Sequence, residues 1–456
     1  MRWDAETDVV VVGAGACGLA ASLTLAQEGC DVVLLEKGRR IGGNTAISTA
    51  MIPAAASRQQ REVGIRDSPE QMASDILAKA GPGADRDHVL ELCRRSAELV
   101  DWLVDAGVPL GLVTDFLYTG QSVPRFHAPP SRQGKDLADP LGAAVAATGR
   151  VTVVTSAPVH RLIVDDAGAV VGVEAGLAHE RIGARSVVLA ACGFGGNPEM
   201  VRTYCPEIAD ALYFGERTVT GDAIRWGMAL GAETRCMDAY QGHGTVAIPH
   251  GILLSWAAVE KGGCLVNAQG MRFANEDLGY SAFGALVMRQ ADGLAFVIFD
   301  GRIDAEMTSH DQNYRELDAL AGIRRAGSLV ELADRLGLPG AALARTVEAL
   351  NAGLQGGRDP LGRSPGQRRP LEAPYCGVKV TGALFHTQGG LAIDTAGRVL
   401  RPGGRPVVNL FAGGGSAVGI SGHGAAGYSP GNGLLTALGW GRIAGLTAAR
   451  QLRREA

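Results

Sequence analysis

The chain has 456 residues, a formal net charge of -4 and 46% hydrophobic residues. This length and composition predict a globular protein of more than one domain, and the near-neutral charge gives no reason to expect nucleic acid as a partner. Glycine supplies 65 of the 456 residues, about twice its usual share of roughly 7%, without a collagen-like period. The glycines are therefore expected in tight turns and where backbone lies against a ligand.

The eight cysteines are scattered and form no CxxC pair. Zinc, iron–sulfur and c-type haem sites need such clusters, so none is expected, and the pattern predicts a reduced, cytoplasmic protein. The apolar run from Val9 to Ala26 approaches the length of a membrane span. It contains three glycines and follows acidic rather than basic residues, so we expect neither a membrane span nor a signal peptide.

The first 36 residues predict a strand over 8–12, a helix over 16–28 and a second strand over 31–35. The glycine-rich turn "GAGACG" joins the first strand to the helix and fits the pattern G-x-G-x-x-G. In this context the first glycine permits the tight turn, the second lets the backbone approach a pyrophosphate, and the third lets the helix pack on the strand. The sequence therefore predicts a dinucleotide site here.

Two further features of this segment favour a dinucleotide. The helix that begins at Ala16 offers free N–H groups and a positive dipole end to phosphates. Glu36 ends the second strand, where an acid can accept a hydrogen bond from a ribose hydroxyl. The alternative for Glu36 is a solvated strand end that pairs with the neighbouring Lys37.

The rest of the chain suggests one domain inserted into another. The segment Ser68–Gln71 has the pattern of a helix start with proline at the first helical position. Residues 150–191 alternate apolar runs with turns, which predicts a small antiparallel sheet that ends in a buried strand. From about Cys236 to Cys376 the pattern shows fewer parallel-strand signals, and it includes a charged helical stretch over 328–354. We predict a discontinuous nucleotide domain at 1–235 and 376–456, and a substrate or capping domain at 236–375.

Four blocks of the sequence carry a specific resemblance to a known family: "LLEKGRRIGGNT", "AACGFGGN", "TGDAIRWGMALGA" and "LFAGGG". In this order they resemble the fumarate reductase and succinate dehydrogenase flavoprotein superfamily. The resemblance implies an α/β, Rossmann-like FAD-binding domain of the glutathione-reductase type, with an inserted α+β substrate or capping domain. Fingerprint and resemblance together mark these FAD-binding residues: Gly13, Gly15, Ala16, Gly18, Glu36, Lys37, Gly43, Asn44, Thr45, Val159, Asp222, Gly414, Asn432 and Leu434.

By this resemblance Val159 lies near the adenine, while the "GGNT" segment approaches the flavin ring. Two departures matter. The acid of the last flavin block is replaced by Gly415, which moves the expected ribityl hydrogen bond to Ser416. The "GGNT" segment lacks the histidine that attaches FAD covalently in the respiratory members, so the FAD is expected to be non-covalent. The 456 residues contain no CxxCH haem-attachment site, so we expect an external electron acceptor such as oxygen or a quinone-like or dye-like carrier.

Three blocks, "YQGHG", "GMRFANE" and "HTQGG", match the active site of fumarate reductases. The resemblance implies that His243 and His386 bind a substrate carboxylate or carbonyl and that Arg272 donates a proton. Because a guanidinium holds its proton tightly, that role needs a relay through Glu276. The alternative for Arg272 is a structural ion pair with Glu276 or Asp277.

The C-terminal glycine-rich block departs from fumarate reductases, because Tyr428 stands where they have an arginine. Losing that cation removes a clamp for a dicarboxylate. Tyr428 resembles the tyrosine of 3-ketosteroid dehydrogenases and related ketone desaturases, which implies that Tyr428 and a backbone N–H near Asn432 bind a ketone oxygen. Tyr280 would remove the α-proton, provided that Arg272 or a helix dipole lowers its pKa from the usual value of about 10. Otherwise Tyr280 is a packing residue.

The sequence thus favours an FAD-dependent dehydrogenase that introduces a C=C bond next to the carbonyl of a small molecule, such as a cyclic keto acid, with hydride passing to flavin N5. The second hypothesis is the reverse reaction, reduction of an unsaturated acid, and the third is a flavin carrier without turnover. Arg125 and His127, in a proline-rich loop, are expected either to hold a substrate carboxylate or to lie on the surface.

Overall fold

The computed structural model describes residues 2–115, 117–118 and 120–455. The chain forms two compact units. The first unit comprises Met1–Cys205, Gly215–Tyr240 and His386–Ala456, and the second unit comprises Pro206–Phe214 and Gln241–Phe385.

The strands of the described residues are, in chain order, β1 Ala5–Val12, β2 Val32–Leu35, β3 Ile52–Pro53, β4 Gly111–Leu112, β5 Phe126–Ala128, β6 Val151–Val154, β7 Val159–Val164, β8 Val170–Ala175, β9 Glu180–Leu189, β10 Leu212–Tyr213, β11 Thr234–Arg235, β12 Tyr240–Ala247, β13 Ile252–Leu253, β14 Cys264–Val266, β15 Leu294–Asp300, β16 Arg324–Ala326, β17 Tyr375–Thr387, β18 Gly390–Leu391, β19 Arg398–Leu400 and β20 Pro406–Ala412.

The α-helices of the same residues are α1 Ala16–Gln27, α2 Gly43–Ala46, α3 Arg58–Glu62, α4 Pro69–Ala80, α5 Arg86–Asp105, α6 Lys135–Ala147, α7 Pro198–Tyr204, α8 Asp222–Ala229, α9 Ala257–Glu260, α10 Gly279–Met288, α11 Gly301–His310, α12 Gln312–Ala319, α13 Leu329–Leu336, α14 Gly340–Leu354 and α15 Asn432–Glu455.

A parallel sheet forms the centre of the first unit, with strand order β20-β9-β1-β2-β6. Val9–Val12 of β1 is fully apolar and buried, which is typical of a parallel strand that is covered on both faces. Antiparallel pairing joins β19 to β20 at one side, and it also joins β7 to β8 and β8 to β9. The expected antiparallel sheet within 150–191 therefore exists for β7, β8 and β9, while β6 pairs in parallel with β2.

Helix α1 packs against β1 and against the long C-terminal helix α15 because glycines allow very short distances. A side-chain carbon on Gly441 of α15 would lie 2.3 Å from the carbonyl oxygen of Cys17. One on Gly445 would lie 2.9 Å from the carbonyl oxygen of Ala21. These contacts pack the middle of α15 closely against α1.

The second unit is built on a sheet with strand order β13-β12-β17-β15-β14, in which β10 and β16 also pair with β17. Pairing of β10 with β17 brings Pro206–Phe214 into this unit. The unit boundaries lie at Gln241 and Phe385, whereas the sequence suggests domain limits of 236 and 375. Both observed boundaries fall inside strands, β12 and β17.

A buried ion cluster ties the loop before β5 to helix α4. Arg125 is 2% exposed and donates hydrogen bonds to Asp67 at 2.9 Å and to Asp75 at 2.5 Å. His127 is fully buried between the Ser57 hydroxyl, at 2.9 Å, and the Arg125 carbonyl, at 3.1 Å. The expectation of a surface position for these two residues is therefore wrong, and the guanidinium of Arg125 is occupied by protein carboxylates.

The eight cysteines are all free thiols, and six of them are buried. Burial raises the pKa of Cys93 and Cys264 to about 12, so these thiols stay protonated at neutral pH. Within the part of the chain that the structure describes, neither α15 nor any other helix has an apolar stretch of the length needed to cross a membrane.

The Arg125 cluster yields a stability prediction. Arg125→Met leaves Asp67 buried without its cation, so the free energy of unfolding should fall by about 3–5 kcal/mol, measured by urea denaturation of the FAD-loaded protein. The matched control is Lys135→Met, which removes an exposed partner of Asp139 at 3.9 Å and should cost less than about 1 kcal/mol. Equal unfolding midpoints for the Arg125 variant and the parent protein would contradict this account.

Candidate active site

The turn after β1 lies at the carboxyl edge of the parallel sheet, where open α/β sheets bind ligands. Gly13 has a φ of +103°, and a side-chain carbon there would lie 2.5 Å from the Ala190 carbonyl oxygen. One on Gly18 would lie 1.7 Å from the carbonyl oxygen of Gly13. A side-chain carbon on Gly15 would have no neighbour closer than 3.7 Å. The surrounding protein thus leaves no room for a side chain at Gly13 and Gly18, whereas Gly15 faces open space.

Glu36 closes this turn with both carboxylate oxygens. It accepts hydrogen bonds from the Ala14 N–H at 2.9 Å and from the Gly38 N–H at 2.7 Å. Lys37 does not pair with it; the Lys37 ammonium lies 2.8 Å from Asp222 and 2.7 Å from the Thr220 hydroxyl. Glu36 is therefore more than a solvated strand end, and its remaining lone pairs are available to a ribose hydroxyl.

The "GGNT" segment folds into the short helix α2, and its polar side chains are held by the protein. The Thr45 hydroxyl accepts a hydrogen bond from the Ala16 N–H at 3.0 Å. The Asn44 side chain accepts one from the Glu216 N–H at 2.6 Å and lies 3.7 Å from the Cys192 thiol. Gly43 begins α2 with a φ of +48°. The segment predicted to approach the flavin ring is therefore rigid.

A cavity of about 360 Å³ lies in the first unit at the start of β7. It brings together two residues that the sequence assigns to the cofactor, Val159 and Asp222. The other lining residues are His160, Arg225 and Trp226. The indole of Trp226 was not assigned a role from sequence, although it lies within one of the blocks that carry the family resemblance.

The last flavin block lies between β20 and α15. Gly414 has a φ of +56°, and a side-chain carbon there would lie 3.2 Å from the Cβ of Cys17. The Ser416 hydroxyl donates its proton to the Cys192 carbonyl oxygen at 3.1 Å, so it can serve a ribityl group only as an acceptor. Asn432 and Leu434 lie in the first turn of α15.

These features fit a dinucleotide with a flavin. The open side of Gly15 and the carboxylate of Glu36 lie at the carboxyl edge of the parallel sheet. The cavity at Val159 begins two residues after Ala157, whose N–H donates to the Glu36 carbonyl at 2.9 Å. The buried side-chain oxygen of Asn432 has no hydrogen-bond partner among the described residues, and a buried acceptor of this kind is normally satisfied. In this arrangement the residues named from sequence would hold the phosphates, the ribose and the flavin side of FAD.

His386 and Tyr428 come together at the start of α15. Their ring centroids lie 5.6 Å apart, and the rings meet edge to face. The Gly433 N–H points at the Tyr428 hydroxyl at 3.4 Å. A side-chain carbon on Gly433 would lie 3.0 Å from His386 Nε2 and 3.5 Å from the Tyr428 oxygen. Burial lowers the pKa of His386 to about 4, so its imidazole is neutral at pH 7.

In the second unit His243 stacks on Tyr280, with ring centroids 4.8 Å apart and planes inclined by 21°. Trp256 and Phe385 extend this aromatic group, at 6.2 and 5.2 Å from the His243 ring. Burial lowers the pKa of His243 to about 3. Tyr280 is the second residue of α10, so its side chain leans toward a helix N-terminus, where negative charge is stabilised.

Arg272 is locked between two carboxylates of the second unit. It donates to Glu276 at 2.9 and 2.5 Å and to Asp359 at 2.5 Å, and its side chain is 5% exposed. Burial alone would lower the pKa of Arg272, but the hydrogen bonds with Glu276 raise it above its ordinary value. The structure supports the ion-pair alternative for Arg272, with Asp359 as the second partner, while Asp277 pairs with Arg368 at 2.8 Å.

Sequence reasoning missed several groups of the site. Asp359 lies in a loop that composition alone describes as irregular, and nothing local marks it as the partner of a residue 87 positions earlier. Trp256 does not belong to any of the sequence blocks quoted above. Gln388 contacts His386, and Ser421 contacts Gln388. Gln388 stands inside the quoted "HTQGG" block and Ser421 shortly before the C-terminal glycine-rich block, so their positions gave a signal that residue type did not.

The chain is similar to known reductases and dehydrogenases. The chain is 33% identical over 453 residues to the "Probable fumarate reductase Ifc3" of Shewanella frigidimarina (strain NCIMB 400), covering 97% of this chain and 75% of that protein. It is 27% identical to the 4-oxocyclohexanecarboxylate 2-dehydrogenase of Sinomonas cyclohexanicum, covering 97% of this chain and 93% of that protein. Both reductases and dehydrogenases are thus among its relatives.

A solved structure shares the whole fold. The 3-ketosteroid-Δ4-(5α)-dehydrogenase from Rhodococcus jostii RHA1, in complex with 4-androstene-3,17-dione, superposes with a TM-score of 0.78 at 30% identity. The match covers 98% of each chain. The predicted FAD-binding fold and the FAD cofactor are confirmed. A family model for the FAD-binding domain matches residues 8–434, and the protein belongs to this FAD-binding family as an FAD-dependent oxidoreductase.

Proposed function

We propose that the protein is a dehydrogenase that introduces a C=C bond α,β to the carbonyl of a cyclic ketone or cyclic keto acid. The observation that carries this proposal is the group formed by the Tyr428 hydroxyl, the Gly433 N–H and His386 at the start of α15. Two of the relatives act, by name, on a 4-oxocyclohexanecarboxylate and a 3-ketosteroid, which are both cyclic ketones.

In this proposal the first unit holds the carbonyl. Tyr428 donates its hydroxyl proton to the ketone oxygen, and the Gly433 N–H, which now faces that hydroxyl, polarises it. The N-terminus of the 24-residue helix α15 stabilises the negative charge that develops on the oxygen when the α-proton leaves. These groups make the α-carbon more acidic without the help of a cationic side chain.

The group that accepts the α-proton belongs to the second unit. Tyr280 takes the α-proton, and the stacked His243 fixes the orientation of its ring. Tyr280 lies in the first turn of α10, where the helix dipole favours a phenolate. Arg272 is given no proton transfer, because Glu276 and Asp359 compensate its charge; it orders the segment that leads into α10.

The ionisation states favour a ketone over a dicarboxylate. His243 and His386 are neutral at pH 7, with pKa values of about 3 and 4, and residues 421–435 contain neither lysine nor arginine. Neutral imidazoles suit a carbonyl oxygen, while a carboxylate is best held by a guanidinium fork. The carboxylate of a keto acid would therefore lie away from these two histidines.

FAD, held without a covalent bond by the residues named above, supplies a two-electron acceptor for the β-hydrogen. An external acceptor such as oxygen or a quinone-like carrier then takes the electrons, and a cytoplasmic location stays a prediction. The second candidate is the reverse reaction on an unsaturated acid, favoured by the likeness to a probable fumarate reductase.

The two directions are separated by anaerobic flavin spectroscopy. Cyclohexanone derivatives and cyclic keto acids should bleach the visible absorbance of the FAD-loaded enzyme, because the substrate reduces the cofactor. Cyclohexanecarboxylate, which lacks the ketone, is the matched control. Rapid reoxidation of the reduced enzyme by fumarate or urocanate, together with no bleaching by any ketone, would establish the reductase instead.

Tyr428→Phe tests the carbonyl site. Loss of one donor to the developing oxyanion should lower kcat about 10²-fold, while the visible spectrum of the purified protein shows unchanged FAD content. Tyr204→Phe, which alters a tyrosine packed edge to face on Phe194 in the same unit, should keep full turnover. A flavin carrier without turnover would show no effect of either change.

Tyr280→Phe tests the base. With the FAD kept reduced, the enzyme should exchange the ketone α-hydrogens in D₂O, observed by NMR. The variant should lose this exchange by about 10²-fold or more, because the proton acceptor is gone. Full exchange by Tyr280→Phe, combined with loss of exchange in a stably folded Arg272→Met, would transfer the role to Arg272.

A further inference from the structure

Gln388 is buried in the first unit and hydrogen-bonded at both ends of its amide. The residue is only 4% exposed. Its Nε2 lies 3.1 Å from His386 Nδ1, and its Oε1 lies 3.0 Å from the Ser421 hydroxyl. Its main chain is fixed too, because the Gly419 N–H donates to the Gln388 carbonyl at 2.7 Å. A side-chain carbon on Gly419 would lie 2.5 Å from Oε1, so the amide has little room to move.

The neighbours of Gln388 define the direction of its hydrogen bonds. The Asn432 amide donates to the Ser421 oxygen at 3.4 Å. Ser421 has a single proton, which it then donates to Gln388 Oε1. Gln388 is left with its NH₂ group toward His386, and it donates to Nδ1. The chain of donors therefore runs from Asn432 through Ser421 and Gln388 to His386.

This direction decides which nitrogen of His386 carries the proton. A ring nitrogen that accepts a hydrogen bond cannot be protonated in the neutral imidazole. The competing group is the Thr387 carbonyl oxygen, 3.4 Å from Nδ1, which would attract a proton to Nδ1. The shorter contact with Gln388 opposes it, so the proton lies on Nε2, the ring nitrogen that is 3.0 Å from the position that a side-chain carbon on Gly433 would occupy.

We propose that Gln388 is a positioning residue that holds the His386 proton on Nε2, so that this histidine donates a second hydrogen bond to the substrate carbonyl beside Tyr428. This inference rests on the proposed function for the identity of the substrate. The protonation of the ring can be measured without any substrate. With the proton on Nδ1, the nitrogen that faces the carbonyl would present a lone pair and repel it.

The test is ¹⁵N NMR of the FAD-loaded protein labelled with ¹⁵N-histidine, with the His386 signals assigned by their absence in His386→Gln. In the parent protein Nε2 should carry the proton. In Gln388→Met, which keeps the volume and removes the donor, the proton should move to Nδ1. In the same variant kcat/KM for the ketone that bleaches the flavin should fall about ten-fold, as expected for one lost neutral hydrogen bond.

Gln60→Met is the matched control, because Gln60 is also a fully buried amide of the first unit, donating to the Pro124 carbonyl at 2.8 Å. It should lower stability and leave the His386 signals unchanged. A proton on Nδ1 in the parent protein, or on Nε2 in Gln388→Met, would overturn the inference. Absence of ketone turnover in the parent protein would instead count against the proposed function, and the NMR result would still decide the role of Gln388.

Discussion

The contact of α1 with the end of β1 is the constraint on which the first unit depends. A side-chain carbon on Gly18 would lie 1.7 Å from the Gly13 carbonyl oxygen, so helix and strand meet at this distance only without a side chain. This contact places the helix N-terminus at the carboxyl edge of the sheet, and Glu36 then closes the same turn from the next strand. The glycine-rich turn and Glu36 share that edge because β1 and β2 are parallel.

Two buried guanidinium groups are compensated by carboxylates of the protein itself. Arg125 and Arg272 are each buried against two carboxylates, and such pairs fix structure more than they attract a ligand. The groups proposed to act on the substrate are neutral imidazoles, phenols and a backbone N–H. Their electrostatic support comes from the N-termini of α10 and α15. A site of this kind stabilises charge that appears during a reaction better than charge already present on a substrate.

Local patterns were enough to predict the strand–turn–helix–strand start and its dinucleotide site, because their physical causes lie within about 30 residues. The FAD cofactor and the fold were predicted from the family resemblance of blocks spread along the chain. The partners of buried ions could not be predicted in this way. Arg125 pairs with Asp67 and Asp75, 58 and 50 positions away, and the second partner of Arg272 lies 87 positions away. Those pairs follow from strand register and tertiary packing, which periodicity and composition do not encode.

The buried thiols have a consequence for durability. An oxidoreductase that passes electrons to oxygen produces hydrogen peroxide in its own vicinity, and peroxide attacks thiolates rather than thiols. Burial raises the pKa of Cys93, Cys264 and Cys376 to about 12, so they present neither the charge nor the access that peroxide requires. With oxygen as the acceptor, the protein could turn over repeatedly without oxidising the cysteines in its own core.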